Sequence, residues 1–258
     1  MVQIKSQREL ELMRGAGALV AKILKQLALQ VDEGISLSYL DREAERMTLD
    51  SGAVPAFKGY LGYKHSLCTS VNEQVVHGIP TDRELKKGDI VGLDFGLSLH
   101  GYYGDSAITV AVGDTSENAK RLMRATLESL YAGIAAARSG NTLKDVGSAI
   151  ESVVRPFGYG VVREFVGHGI GQKLHEDPQV PNYAEGASNL KLRPGLTLAI
   201  EPMINEGSHR VRILDDKWTA VTMDSKLSAH YEHTIAVTDG DPEILTEWDT
   251  RCFGGLLK

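Results

Sequence analysis

Hydrophobic positions along the chain follow one period typical of helices and another typical of strands. After Ser6, apolar residues recur every three to four positions, beginning with Leu10 and Met13, and this predicts a helix to about Leu29. Ser6 and Glu9 form a capping-box pattern at its start. Similar signals predict further helices from Ser36 or Ser38 to Gly52, from Ser116 to about Arg138, and from Thr142, with Asp145 three residues later, to just before Pro156.

Short runs rich in β-branched residues predict strands. The run in GDIVGLDFG leads to a turn-like segment at Leu99–Gly101, and a second run follows at Ala107–Val112, which together are typical of a hairpin. This bend would bring Asp94 and Asp105 almost opposite each other, although the pattern leaves the register open by one residue. Further strands are predicted at 196–204, 208–214, 218–224 and 229–237. Segments 53–87 and 161–183, rich in Gly and in aromatic, His or Pro residues, are typical of loops and short strands.

The two acids of the hairpin, Asp94 and Asp105, stand among apolar strand residues. Two carboxylates that close cannot both stay ionised when buried, unless a proton, a basic side chain or a metal ion compensates them. No Lys or Arg lies between them, which favours a cation from outside the chain. The alternative interpretation, that both acids face water at a turn or an edge, has equal weight at this point.

A weak internal repeat links the two parts of the chain. Asp94 follows Gly88 by six residues, and Glu201 follows Gly195 by the same spacing. Each acid is followed by a strand with a second acid, Asp105 after 11 residues or Glu232 after 31. We interpret this as a diverged duplication within a single domain over 1–258. Its halves, roughly 1–140 and 141–250, would each supply one acid pair, and the pairs would face each other.

Composition excludes several classes of protein. A chain of 258 residues can form one large domain or two small ones, and its net charge of −6 and pI near 5.8 argue against nucleic acid as a main partner. No apolar stretch reaches the length of a membrane span, and the start is too charged for a secretion signal. Cys68 and Cys252 do not suggest a disulfide framework. The expected compartment is the cytoplasm.

Between the acid pairs lies GHGIG, in which glycines flank His168 and let backbone approach a bound group. Alone it is a weak signal, since a lone histidine is more often structural. The full candidate set is Asp94, Asp105, His168, Glu201 and Glu232. Four carboxylates and an imidazole suit Mn, Fe(II), Co or Zn, and two divalent ions would neutralise the four acids. Such a pair can generate hydroxide near neutral pH and polarise a carbonyl.

Five motifs give the chain a family resemblance. They are VNEQVVHGIP, LDFG…GYYGDS, GHGIG…LHEDP, AIEPM and YEHTIAVT. With this order and spacing, the chain from Ile4 to Leu245 resembles the type I methionine aminopeptidases, in their short bacterial form. The start of the chain and the short span between Glu201 and Glu232 favour that form over members with an N-terminal extension or an inserted helical subdomain. The resemblance implies an α+β pita-bread fold, in which helices pack on the outer face of a pseudo-twofold antiparallel sheet.

The resemblance also implies a role for each residue of the candidate set. Asp94 would bind one metal ion, Asp105 and Glu232 would bridge two, and His168 with Glu201 would complete the second. The ions would be Co, Mn, Fe(II) or Zn, and a hydroxide bridging them would attack the scissile peptide.

Further site residues come from the same resemblance. Glu201 would act as general base, and His77 and His175 would hydrogen-bond the scissile amide and the tetrahedral intermediate. The methionine pocket would use these two histidines together with Phe57, Tyr60, Tyr63, Cys68, Leu174 and Trp218, although each aromatic could equally be an ordinary core residue. Leu174 stands where relatives often have an aromatic residue, and Phe57 where some have a small one. A monovalent cation, Na or K, would lie near Asn72 and Ser228.

The function implied is removal of the initiator methionine from nascent proteins when the second residue is small. The expected partners are N-terminal methionyl peptides, nascent polypeptides and a transient ribosome contact, with no nucleic acid, no membrane and a monomeric state. Two alternatives stay open: another pita-bread metallopeptidase, such as a proline-specific aminopeptidase or a creatinase-like enzyme, and a metal-free binding module. The former normally carry an extra N-terminal domain, whereas only about 90 residues precede Asp94. The latter usually lose ligands, and all five are present.

Overall fold

Residues 2–248 of the chain are described by a computed structural model, and Cys252 lies outside them. Within this range the α-helices are α1 (Gln7–Ala28), α2 (Leu37–Asp50), α3 (Glu117–Ala136) and α4 (Leu143–Val154), with 3-10 turns at Tyr60–Gly62 and Arg155–Phe157. The strands are β1 (Val54–Pro55), β2 (Cys68–Val71), β3 (Gln74–Val76), β4 (Ile90–Leu99), β5 (Tyr102–Ala111), β6 (Gly160–Val161), β7 (Gly167–Gly169), β8 (Glu176–Val180), β9 (Thr197–Ile200), β10 (Met203–Asn205), β11 (Val211–Ile213), β12 (Ala220–Thr222), β13 (Ser228–His230), β14 (Glu232–Ala236) and β15 (Glu243–Ile244).

The helices begin where side chains satisfy free backbone N–H groups. The Ser6 hydroxyl accepts from the Glu9 amide while the Glu9 carboxylate accepts from the Ser6 amide, so the predicted capping box of α1 is confirmed. The same reciprocal pair forms at Thr142, at the start of α4. Ser36, and not Ser38, caps α2. The predicted ends were slightly late for α2 and α3, which end at Asp50 and Ala136.

All pairings among the described strands are antiparallel, and the expected α+β class is confirmed. The main sheet has the order β1-β4-β5-β14-β9-β7-β8, with β2 beside β4 and β15 beside β14. Two smaller sheets have the orders β13-β10-β6 and β11-β12-β3. In the main sheet β5 meets β14, so strands from the early and late parts of the chain join at its middle. The division into related halves near residue 140 stays a prediction.

The predicted hairpin exists as β4 and β5, but its register differs from the expected one. Asp94 faces Ala107 across the strands, and Asp105 faces Gly96. The acids are therefore diagonal neighbours rather than an opposed pair. They share a face because positions 94 and 96 point to the same side of β4. Gly96 leaves room for this arrangement, since a Cβ there would lie 3.0 Å from Asp105 Oδ1.

Two predicted strands are interrupted beside the later acids. The segment 196–204 divides into β9 and β10, with Glu201 and Pro202 between them, because a proline has no N–H for the sheet. The segment 229–237 divides at Tyr231 into β13 and β14. The strands predicted at 208–214 and 218–224 are shorter, as β11 and β12.

Helices cover one side of the sheets and form the core with them. Helix α1 packs on β4 and β5, and α3 packs on β9, β10, β13 and β14. Large side chains such as Leu24, Phe95, Leu130 and Ile200 are fully buried between these elements. Within residues 2–248, none of the helices has the length and apolar character needed to cross a membrane.

Helix α1 lies unusually close to its neighbours at Gly17. A Cβ at this position would lie 2.3 Å from the backbone oxygen of Leu245, and the Cα of Gly17 is 3.1 Å from the Cβ position of Gly104. Backbone atoms cannot move aside as a flexible side chain can. A side chain at position 17 therefore has to push the helix away from the sheet that carries Asp105.

We predict that Gly17→Ala lowers the free energy of unfolding by about 1–3 kcal/mol, because overpacking forces a backbone shift. Gly15→Ala is the matched control on the same helix, since its Cβ would meet only Leu99 Cδ2 at 3.9 Å. That control should gain up to about 1 kcal/mol from the better helix propensity of alanine. Urea denaturation measures both, and two variants of equal stability would contradict the close contact.

Candidate metal centre and its pocket

One cavity, of about 170 Å³, lies where the strands of the early and late parts of the chain meet. Every residue that was predicted for the metal site and the pocket lines it, together with Leu61. The lining residues are Phe57, Tyr60, Leu61, Tyr63, Cys68, His77, Asp94, Asp105, His168, Leu174, His175, Glu201, Trp218 and Glu232. The volume is below the range of about 300–1,000 Å³ typical of whole drug-sized ligands, and it suits one side chain.

Neighbouring strands bring the five candidate ligands together. Asp94 lies on β4, Asp105 on β5 and Glu232 at the start of β14, where it pairs with Ala107 of β5. Glu201 directly follows β9, the next strand in the sheet. His168 lies on β7 and pairs with Ala199 of β9. Residues from positions 94 to 232 therefore meet because β4, β5, β14, β9 and β7 are consecutive in the sheet.

The side chains of these residues approach within the range of shared metal coordination. Ligand atoms of Asp105, His168 and Glu232 all lie within 4.8 Å of one another. His168 Nε2 is 3.9 Å from Asp105 Oδ2 and 3.6 Å from Glu201 Oε1. These separations exceed hydrogen-bond length, so the side chains surround a common point rather than bonding to each other.

The tautomer of His168 follows from its hydrogen bond with the backbone of the next residue. Its Nδ1 lies 2.9 Å from the carbonyl oxygen of Gly169, which can only accept, so Nδ1 carries the proton. Burial, with repulsion from His175, lowers the pKa of His168 to about 3, and the ring is neutral. Nε2 therefore presents a lone pair towards the oxygens of Asp105 and Glu201. Acceptors that face acceptors need a cation between them, and a backbone carbonyl on the other ring nitrogen is typical of metal-bound histidine.

The acids show the same unmet need for positive charge. Burial raises the pKa of Asp94 to about 7, with Glu201 adding to the shift and His230 opposing it, and burial raises the pKa of Glu201 to about 8. Burial and the neighbouring acids raise the pKa of Asp105 and Glu232 well above their usual range. Among the described residues, three buried carboxylate oxygens lack a hydrogen-bond partner: Asp94 Oδ1, Asp105 Oδ1 and Glu232 Oε1. This donor set fits divalent cations.

The wall of the cavity is aromatic and apolar. The Trp218 ring meets Tyr63 edge-on at 4.9 Å, and the Tyr63 hydroxyl donates to the Leu67 carbonyl at 3.1 Å. Cys68 pairs with Asp94 across β2 and β4, and burial raises the pKa of its thiol, which stays protonated. Phe57 and Leu174 are buried in the same cluster. The predicted pocket residues thus surround one space, next to the acids.

Two histidines at the cavity can donate hydrogen bonds. Burial lowers the pKa of His175, and its Nδ1 shares a 2.8 Å hydrogen bond with the Tyr60 hydroxyl. Burial lowers the pKa of His77 to about 4, and its backbone is in the left-handed region with φ 59°. Phe165 holds the His77 ring edge-on at 5.2 Å. Both rings are neutral near pH 7, and each then carries one N–H.

The segment before α1 supports the His175 side of the site. Lys5 Nζ lies 2.6 Å from Glu176 Oε2, and both side chains are almost completely buried. The Lys5 amide also donates to the carbonyl of Gly195. Gly171 makes room for the pair, since a Cβ there would lie 2.3 Å from Lys5 Cε. The residue after His175 is therefore fixed by a buried ion pair.

Two residues near the site were missed by the sequence analysis. Leu61 lines the cavity with 81 % of its surface exposed, on a turn between Gly59 and Gly62, and this pair of glycines was the available signal. His230 is buried with its Nε2 3.7 Å from Glu201 Oε2. Its position two residues before Glu232 was the signal, because alternate residues of an extended chain share a face.

Asn72 and Ser228, named for a monovalent cation, are in contact. The Ser228 amide donates to the Asn72 carbonyl at 2.9 Å. The Asn72 side chain bonds to Asp89 Oδ1 and to the Ile90 amide. A cation beside them stays a prediction.

Comparisons with known proteins show the family of this chain. The profile of metallopeptidase family M24 matches residues 11–239. The "Methionine aminopeptidase 1" of Bacillus subtilis (strain 168) is 50% identical over 246 residues, which cover 95% of this chain and 99% of the relative.

Solved structures extend the comparison. The methionine aminopeptidase of Thermotoga maritima has a TM-score of 0.93 and 44% identity, covering 96% of this chain and all of the other. The prolidase of Pyrococcus horikoshii OT3 has a TM-score of 0.77 at 24% identity and covers 95% of this chain but 64% of the other, so this likeness concerns the fold alone. The expected pita-bread fold is confirmed by these neighbours.

Proposed function

This chain belongs to metallopeptidase family M24, and from that premise we propose that it is a methionine aminopeptidase that removes the initiator methionine from proteins whose second residue is small. The observation that carries the proposal is the convergence of four carboxylates and one imidazole beside a cavity with room for one apolar side chain. Identity to the Bacillus methionine aminopeptidase is twice that to the prolidase, which favours methionine over proline specificity.

The proposed metal ligands are the five residues at the cavity. Asp94, Asp105, His168, Glu201 and Glu232 would together hold a pair of divalent ions, which would be Co, Mn, Fe(II) or Zn. When bound, the ions supply hydroxide near neutral pH and polarise the scissile carbonyl. Support comes from the neutral His168 lone pair and from the three buried carboxylate oxygens described above.

The remaining chemistry belongs to side chains of this protein. Glu201 would accept a proton from the attacking water and pass it to the leaving amine. His77 and His175 donate hydrogen bonds to the scissile amide and to the developing oxyanion. We assign the Tyr60 hydroxyl as the donor in its hydrogen bond with Nδ1 of His175, which leaves the His175 N–H on Nε2.

The apolar part of the cavity selects the side chain. Phe57, Tyr63, Cys68, Leu174 and Trp218 form its wall beside the acids. Methionine is long, unbranched and polarizable, and thioether sulfur packs favourably against aromatic rings. The exposed turn around Tyr60 and Leu61 borders the same cavity, and the preference for a small second residue is proposed on the family resemblance.

The test of this function is a pair of peptide substrates. Metal-loaded protein should release methionine from Met-Gly-Met-Met. It should leave Ala-Pro-Gly, in which proline is the second residue, uncleaved. Amino-acid analysis of the products measures both. Cleavage before proline without methionine release would favour the proline-specific alternative, and no cleavage of either peptide by metal-replete protein would favour the binding module.

The cellular setting belongs to the same proposal. The substrates are N-terminal methionyl peptides and nascent polypeptides in the cytoplasm, with a transient ribosome contact and a monomeric enzyme. A Na or K ion beside Asn72 and Ser228 would join the turn between β2 and β3 to the start of β13. Analytical ultracentrifugation and metal analysis of protein isolated without added metal test the last two points.

A further inference from the structure

We infer that His230 is a positioning residue, which holds the second carboxylate oxygen of Glu201 while the first faces the metal site. The inference rests on the proposed function of Glu201 as general base. His230 Nε2 lies 3.7 Å from Glu201 Oε2, and the exposed fractions of the two side chains are 4% and 14%. None of the five ligand positions includes His230, and its role is distinct from theirs.

The two oxygens of Glu201 face chemically different imidazoles. Oε1 is 3.6 Å from Nε2 of His168, whose proton is on Nδ1, so this side presents a lone pair and calls for a cation. Nε2 of His230 makes no hydrogen bond with the described residues, and in the tautomer that protonates it this atom can donate to Oε2 of Glu201. A cation on one oxygen and an N–H on the other is an arrangement that satisfies both oxygens of one carboxylate.

His230 itself requires a partner. Its Nε2 is buried and makes no hydrogen bond with the described residues, and a buried ring nitrogen without a partner destabilises the fold. Of the carboxylates around the cavity, Glu201 is the one whose oxygen pairs with this nitrogen within 4.0 Å in the described part of the chain. A shift of well under 1 Å brings 3.7 Å to hydrogen-bond length.

The backbone of His230 is fixed on both sides by one threonine. The Thr109 hydroxyl donates to the His230 carbonyl at 2.8 Å and accepts from the His230 amide at 3.0 Å. Thr109 lies on β5, the strand that also carries Asp105. Thr109 therefore fixes the backbone of His230 against β5. Through His230, the position of Glu201 is set relative to Asp105 on the same strand.

The consequence for the reaction is a fixed rotamer of the base. A carboxylate anchored through one oxygen alone can swing about its side-chain torsions, whereas anchoring of both oxygens holds it in the orientation needed for proton transfer. His230 does not line the cavity, so it does not touch the methionine side chain. Its loss should therefore lower kcat and leave KM unchanged.

The experiment compares three substitutions in metal-loaded, full-length protein with Met-Gly-Met-Met as substrate. His230→Leu should lower kcat about 10–100-fold, the usual effect of removing a group that orients a metal-site residue. His230→Gln should restore most of kcat, because its amide N–H can reach Glu201. His230→Asn, with a shorter donor, should resemble His230→Leu and serves if the leucine variant does not fold.

His233→Leu is the matched control. His233 is also buried with an Nε2 that has no hydrogen-bond partner among the described residues, but it faces Tyr131 and Trp248 and pairs with Thr246. Its substitution removes a buried imidazole three residues away without reaching the acids. Urea unfolding of each variant separates stability from turnover. Equal loss of kcat in His233→Leu would overturn the positioning role of His230.

A second readout is metal binding measured by calorimetry with Co(II), together with the Co(II) absorption spectrum. The number of bound ions should match wild type in His230→Leu, because the proposed role involves no metal bond. A changed spectrum at full occupancy would support the inference, since Glu201 is itself a proposed ligand, whereas loss of a bound ion would make His230 a ligand and overturn it. Unchanged kcat in both His230→Leu and His230→Asn, or a raised KM at constant kcat, would also overturn it. Wild-type protein that releases no methionine would instead defeat the proposed function.

Discussion

Replacing Glu201 with alanine should leave a folded protein that has lost methionine release almost completely. We expect kcat/KM to fall by about 10³–10⁴-fold, the upper range for removal of a general base. Glu201 is both the proposed proton acceptor and a proposed ligand, at the end of β9 and 3.6 Å from His168 Nε2. Release of methionine from Met-Gly-Met-Met by purified, metal-replete protein measures the loss.

The two roles of Glu201 can be separated. Glu201→Gln keeps an oxygen for a cation but cannot accept a proton, so its metal content should remain near wild type while turnover falls as in the alanine variant. Glu206→Gln is the control, since it makes the same change five residues along, outside the cavity. Near-normal turnover in Glu201→Gln, with the ions bound, would show that another group takes the proton.

Removal of metal should abolish activity and also make stability depend on pH in a defined direction. In the metal-free fold, burial raises the pKa of Asp94 to about 7 and of Glu201 to about 8, compared with ordinary values of about 3.9 and 4.3. The fold favours the protonated, neutral acids. Their contribution to the free energy of unfolding is therefore complete below about pH 4 and is lost as pH rises through 7 to 8. Bound divalent ions reverse the preference, because they require the ionised acids.

Buried histidines set the useful pH window. The pKa values of His168 and His233 are lowered to about 3, so their contribution is complete above about pH 6.5 and is lost as pH falls towards 3. Below pH 6.5 the buried acids and the buried histidines change the stability in opposite directions as pH rises. Above pH 6.5 only the acids change it. Between pH 6.5 and 8.5 the Tm of chelated protein should therefore fall, by about 2–4 °C for each kcal/mol lost.

Calorimetry of chelated and reloaded protein across that window tests the expectation. Reloading should restore activity and should raise Tm more at pH 8.5 than at pH 6.5. Asp94→Asn in the chelated state is the control, because an amide cannot ionise and the slope should become shallower. A Tm of chelated protein that rises over the same window, or activity that survives exhaustive chelation, would contradict a buried acid cluster that needs cations.

Local signals in the sequence predicted what local interactions determine. Both capping boxes, at Ser6 and Thr142, have the predicted partners three residues on, because a cap depends on side chains that are adjacent in sequence. The hairpin was also predictable, but its register depends on the turn. His100 and Gly101 both have positive φ and form a two-residue turn, and this sets Asp94 against Ala107.

The missed details depend on contacts between distant segments. Pro202 ends β9 just after Glu201, and its missing N–H could have been read from the sequence, but the return of the chain as β10 into a different sheet could not. His230 carries no motif of its own, and its relation to Glu201 arises from the pairing of β10 with β13 at Met203 and His230. The convergence of the five candidate ligands at one cavity was predictable because the family resemblance supplied their order and spacing, and their roles as metal ligands stay predictions.

The buried ion pair of Lys5 and Glu176 anchors the segment before α1 to the part of the chain that carries His175. Residues 4 and 5 rest against Gly195, whose backbone leads within six positions to Glu201, while the lysine head reaches the neighbour of His175. Residues 4 and 5 thus connect the segment that leads to Glu201 with the segment that carries His175. Replacement of Lys5 would leave the Glu176 carboxylate buried without its cation, beside a histidine that lines the cavity.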